Sequence, residues 1–297
     1  MTKHGPVEPG VLARADSVSG FPPSDSYELL DGNLDGGLLI VADHAANFIP
    51  QEYANLGLPE SELQRHIACD VGVGPLSRDL AERLRAPAIL ATFSRLLIDP
   101  NRGEDDPTLI MRLSDGTIVP GNARVDTAER ERRLARFYRP YHAVVARTID
   151  TMLATGQVPA ILSIHSYTPV WKGEKRPWHA GILWDRDPRF SCALLTSLRA
   201  EHGLRVGDNE PYSGALKHDT MYRHGSERGL AHALLEVRND LIAAPAGVLE
   251  WADRLEPLLR EILEDQTLHE IRRYGSAADG DGGEDDAADG QRDAHGA

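Results

Sequence analysis

Two histidines and a glutamate stand where they could do hydrolytic chemistry. Leu38-Leu39-Ile40-Val41 is an unbroken apolar run that closes in Asp43-His44, and Pro159-Ala160-Ile161-Leu162-Ser163-Ile164 closes in His165. A third run, Ala231-His232-Ala233-Leu234-Leu235-Glu236-Val237, carries Glu236 within it. A polar group in an apolar strand is costly unless it is paired or bound to a metal. Neutral imidazole is a common ligand for zinc, and a carboxylate completes such sites as ligand or base. A catalytic zinc takes three protein ligands and keeps one position open for water, whose pKa it lowers to about 7. The chain has 12 histidines, so it is the position of His44 and His165 at strand ends that singles them out.

The third ligand is not fixed by pattern. No HExxH motif is present, and Asn47 stands three residues after His44, where an HxxE pair would place glutamate. Asp70 is the preferred candidate. It ends His66-Ile67-Ala68-Cys69 and precedes Val71-Gly72-Val73-Gly74, where backbone can approach closely. A helix cap is its rival role. Asp43, beside His44, is a candidate to orient that histidine from behind.

The elements that must position these groups alternate. Strands are expected at Leu38–Val41, Ala88–Thr92, Pro159–His165, Gly181–Trp184 and Ala231–Val237, with a further short one possible at Leu96–Ile98. Helices are expected at Glu62–Cys69 with Ser61 as N-cap, Pro75–Leu84, Thr127–Thr155 with a kink or break at Pro140, Pro188–Glu201 and Gly247–Arg273. The stretch Gly103–Asn122 holds EDDP, SDG and PGN turn signals and reads as a loop or small hairpin. The pattern is α/β, and ligands bind such sheets at the carboxyl ends of their strands. Residues 1–26 form an irregular leader, 27–274 one α/β domain and 275–297 a Gly-, Ala- and Asp-rich tail expected to be disordered.

Composition narrows the function. A net charge of −14 argues against nucleic acid and anionic membrane as partners. Two cysteines outside any CxxC pair imply no disulfide framework and no thiolate zinc site. No stretch is apolar enough to span a bilayer and the N-terminus lacks a signal-peptide core, so a cytoplasmic location is expected.

Eight segments, DHAANFIP, HIACDVGVG, SRLLIDPNR, SDGTIVPGN, SIHSYTP, RPWHAGILWD, GDNEPYSG and LLEVRNDLI, follow one another between Leu38 and Trp251. In these the chain resembles the N-formylglutamate amidohydrolase family, in its branch of predicted members. The resemblance implies a fold similar to zinc-dependent exopeptidases, a mixed and mostly parallel sheet flanked by helices. It implies hydrolysis of an amide C–N bond, with formate and an amino acid as products. It implies His44, Asp70 and His165 as ligands of a divalent metal, expected to be zinc, and Glu236 as the base.

A small anionic N-acyl amino acid as substrate would need cations, and arginine binds carboxylate bidentately. Arg95, Arg102, Arg176 and Arg238 are the candidates, with Asn101 beside Arg102 as in the Asn-Arg pair of zinc carboxypeptidases. Arg176 lies near Trp178 and His179 in a segment suited to a mobile lid. Asn209, Tyr212 and Ser213 are expected to line the pocket, and Tyr222 or His224 to donate to the oxyanion. Two other functions fit the same residues: a zinc amidase or carboxypeptidase acting on a peptide or cell-wall fragment, and a non-catalytic binding protein.

Overall fold

The computed structural model describes residues 24–279. The expected leader and acidic tail therefore lie outside the described residues, except for 24–26 and 275–279.

Seven strands make one mixed sheet: β1 (Tyr27–Leu30), β2 (Leu38–Ala42), β3 (Ala88–Ala91), β4 (Ala160–Tyr167), β5 (Ala180–Leu183), β6 (Val206–Asp208) and β7 (His232–Arg238). Their spatial order is β1-β3-β2-β4-β7-β5-β6. The four central strands β3, β2, β4 and β7 run parallel, and so do β5 and β6. β1 on β3 and β5 on β7 are antiparallel. This is the mixed, mostly parallel sheet expected. The edge strands β1 and β6 lack the long apolar runs of the central strands and were not foreseen.

Helices cover both faces. Even-numbered residues of β2 and β4, such as Leu38, Ile40, Leu162 and Ile164, pack with α1 (Val73–Leu84), α4 (Arg189–Ala200) and α5 (Pro245–Ile262). Odd-numbered Leu39, Val41 and Ile161 pack with the long helical segment Thr127–Ala154. In β7 the parity is reversed: Leu234 faces that second layer. Because successive side chains alternate faces, Asp43, Ser163, His165 and Glu236 fall on one side of the sheet, at its carboxyl end.

Three expected elements differ. Glu62–Cys69 holds only the helical turn Glu60–Leu63, with Pro59 and not Ser61 as N-cap, followed by turns. The chain leaves the helix because Asp70 N–H must reach the carbonyl of His44, at 2.9 Å. Leu96–Ile98 is a buried loop and not a strand. Side chains satisfy its carbonyls: Asn122 donates to Leu96 and Arg133 to Leu97. The last helix ends at Ile262, and Asp265 then caps a short turn over Gln266–His269.

Around Pro140 the helix neither breaks nor stays regular. α2 (Thr127–Arg133) passes through a π turn, Leu134–Tyr138, into α3 (Arg139–Ala154). There Arg139 N–H bonds the carbonyl of Leu134, five residues back. A wider turn just before proline accommodates the ring and the missing donor without ending the helix. The stretch 103–122 contains a small hairpin, Leu113–Ser114 with Thr117–Ile118. No helix among the described residues is long and apolar enough to cross a membrane.

Candidate metal centre and active site

His44 follows the end of β2 and His165 lies near the end of β4, while Asp70 ends the loop tied to the His44 carbonyl. One donor atom from each lies within 4.8 Å of the others, and all three residues are buried. Asp70 Oδ2 stands 3.3 Å from His44 Nδ1 and 2.9 Å from His165 Nδ1.

The far nitrogen of each imidazole faces a buried carboxylate. His44 Nε2 is 2.7 Å from Asp99 Oδ1, and His165 Nε2 is 3.2 Å from Asp43 Oδ2. A carboxylate at Nε2 fixes the proton there and leaves the Nδ1 lone pair free to ligate. Two imidazole lone pairs and one carboxylate oxygen thus converge, which is the donor set a divalent metal takes. The residues present fit the group that the sequence led us to expect.

The supporting carboxylates are themselves held. Asp43 accepts from Thr220 Oγ1 at 2.7 Å and Asp99 from Arg95 at 2.8 Å and from the Asn101 N–H. Burial pushes Asp43 up, but the hydrogen bond and charge of His165 outweigh it and bring its pKa down to about 2. For Asp99, burial is likewise overcome, chiefly by the Arg95 guanidinium, and its carboxyl lies well below the usual range. Asp70 is also held low, against burial, by the His44 and His165 imidazoles.

Glu236 behaves in the opposite way. It pairs with His165 across the β7–β4 ladder, and its Oε2 is buried with no hydrogen-bond partner. Burial pushes its pKa up to about 7, only partly offset by His165. A carboxyl poised near neutrality beside a candidate ligand cluster is suited to take and return a proton.

These residues open into a cavity of about 410 Å³. The other expected residues divide. Arg95, Asn101, Arg102, Tyr212 and Ser213 line it. Arg95 also bonds Asp99 and, at 3.4 Å, Asp70. Arg102 donates to the Asn101 carbonyl and has no ion-pair partner among the described residues. Arg176, Asn209 and Arg238 are not among the lining residues. Asn209 Oδ1 instead accepts from the N–H groups of Trp184 and Gly214, both at 2.9 Å. Arg238 bonds Asp240, not Glu236. Tyr222 donates to Asp279, and buried His224 stacks on His142, so neither faces the cavity. Asn47 donates to the Leu63 carbonyl, a structural role.

Sequence reasoning paired Asp43 with its neighbour His44, whereas the sheet delivers it to His165. It missed Asp99, because Asp99-Pro100 reads as a turn. It also missed Asp219, a cavity-lining helix cap that accepts from Tyr222 N–H and is raised by burial to about 7. The aromatic lining residues Tyr167 and Trp171 were likewise unmarked.

The family described as N-formylglutamate amidohydrolase matches residues 36–243. A gene product of Agrobacterium tumefaciens of known structure is 34% identical, covering 82% of this chain and 96% of its own, with a TM-score of 0.77. An N-formylglutamate deformylase of Pseudomonas aeruginosa is 27% identical over 67% of this chain and 82% of its own length. The N-formylglutamate amidohydrolase of Ralstonia eutropha JMP134, 23% identical, covers 81% of this chain and 97% of its own, and shares the fold at a TM-score of 0.58. The chain belongs to the N-formylglutamate amidohydrolase family and is a hydrolase of carbon–nitrogen bonds other than peptide bonds.

Proposed function

We propose that the chain hydrolyses the amide of an N-formyl amino acid to formate and the free amino acid, as a metal-dependent enzyme. The observation that carries this is the convergence of His44, Asp70 and His165 beside the unpartnered carboxyl of Glu236. When bound, a divalent cation, with zinc favoured by the two imidazoles, supplies Lewis acidity toward the amide carbonyl and toward water.

The protein's own groups do the rest. Asp99 and Asp43 hold the two imidazoles in their ligating tautomer. Glu236 takes one proton from the attacking water at its free oxygen. The water oxygen bonds to the formyl carbon, the C–N bond breaks, and the same proton passes from Glu236 to the departing nitrogen. Arg102 receives the α-carboxylate, since its guanidinium lines the cavity without an acidic partner. The relatives' names make N-formylglutamate the first substrate to test.

The test is release of the free amino acid from N-formyl, N-acetyl and dipeptide substrates, with formate measured for the formyl ones, each with and without chelator. Turnover of a formyl substrate, lost on chelation and restored by added zinc, is expected. Turnover unaffected by exhaustive chelation would overturn metal dependence, and turnover of dipeptides alone would overturn the substrate class.

A further inference from the structure

Arg176 is buried, 9% exposed, yet has no acidic partner among the described residues. Its guanidinium instead lies against three rings: Tyr212 at 5.0 Å, Trp171 at 5.3 Å and Tyr167 at 5.6 Å. Its polar contacts include long ones to Thr168, 3.4 Å to the carbonyl and 3.5 Å to Oγ1, and it also acts on the Tyr212 hydroxyl by charge and hydrogen bonding. Those three rings line the cavity and Arg176 does not. One cation thus ties together an aromatic wall from behind, each contact gaining most where water is excluded.

This wall stands in a cavity short of positive charge. Of the arginines that line it, Arg95 is spent on Asp99 and Asp70, and Arg102 alone has no ion-pair partner among the described residues. One guanidinium answers one carboxylate. A substrate with a second carboxylate on its side chain would press it against aromatic rings, where an unpaired charge is costly.

We infer that the side-chain subsite of this enzyme is the Tyr167–Trp171–Tyr212 wall, and that it selects N-formyl amino acids with aromatic or long apolar side chains over dicarboxylic ones. The inference rests on the deformylase activity proposed above and specifies its substrate. The flat faces of the rings offer stacking to an aromatic substrate and contact area to a methionine-like one.

The experiment compares kcat/KM of the metal-loaded full chain for N-formylphenylalanine, N-formylmethionine, N-formylglycine and N-formylglutamate. We expect phenylalanine and methionine to exceed glutamate by about tenfold or more. Glutamate equal or better would overturn the inference while leaving deformylation intact, since Arg176 would then have to reach the second carboxylate. No turnover of any of the four would overturn both. Trp171→Ala adds a second readout: its kcat/KM for phenylalanine should fall at least fivefold more than for glycine, mainly through KM. Equal losses for the two substrates would make the wall a structural feature and sink the proposal.

Discussion

A buried carboxyl oxygen without a hydrogen-bond partner costs about 1–3 kcal/mol, and Glu236 Oε2 is such an atom. That cost is understandable where the group must stay free to meet water and a leaving nitrogen. Glu236→Gln keeps the size and a polar end but cannot cycle a proton. We expect kcat to fall by about 10²–10⁴, with zinc content of the purified variant unchanged. Near-full activity would remove Glu236 as base, and loss of bound zinc would make it a ligand. At this scale the sequence was legible where chemistry interrupts a pattern: His44, His165 and Glu236 stand out because they end or break apolar runs. It was not legible where a residue's partner comes from a distant segment. Asp99 meets His44 across 55 positions, and nothing near Asp99 announces it. Arg238 shows the converse, since its carboxylate lies two residues on in Asp240 and so was visible only after the chain turned.

The elements explain how three candidate ligands from separate stretches meet. Central strands were readable because burial on both faces demands continuous apolar residues. The Asp70 loop was misread as helix because His66-Ile67-Ala68-Cys69 has helical apolar spacing, and only the long-range bond to His44 overrides it. Gly72 locks that loop. It has φ of +84° and caps the start of α1, and a Cβ there would lie 2.2 Å from the Ile242 carbonyl oxygen. Neither the dihedral nor the space tolerates a side chain. Gly72→Ala should therefore cost about 2–4 kcal/mol in urea unfolding. Because Asp70 is two residues away, zinc affinity should fall with it. A variant as stable as the parent would show that the loop has another place to go.

Over the whole molecule, buried charge decides how stability follows conditions. His142 on α3 is pushed down to about 3, first by burial and then by Arg223, and its partner His224 is also held well below the ordinary value. Between pH 3 and 6.5 the unfolded chain binds the proton that native His142 refuses. Stability contributed by neutral His142 is thus present above pH 6.5 and lost as pH falls toward 3, by on the order of 4 kcal/mol. His142→Gln should flatten this acid limb in urea titrations between pH 4.5 and 7, and an unchanged slope would assign the limb elsewhere. The active centre makes a larger demand. Asp43, Asp70, Asp99 and Glu236 are four buried acids gathered around two imidazoles and one guanidinium, Arg95. Against burial, the Asp43 and Asp70 carboxylates hold the pKa of His165 well above its ordinary value, so that its proton offsets part of this negative charge, and a divalent cation would take over that task. A cation that binds only the assembled ligands, drawn from positions 26 and 95 residues apart, stabilises the folded state by mass action. At a thousandfold excess over its Kd this amounts to about 4 kcal/mol, or about 8–16 °C in Tm for a chain of this size. We expect chelator-treated protein to melt that much lower than zinc-loaded protein. In Asp70→Asn the difference should shrink, because an amide oxygen is a far weaker ligand than a carboxylate. Identical melting with and without zinc in the parent chain would mean that no metal completes the site.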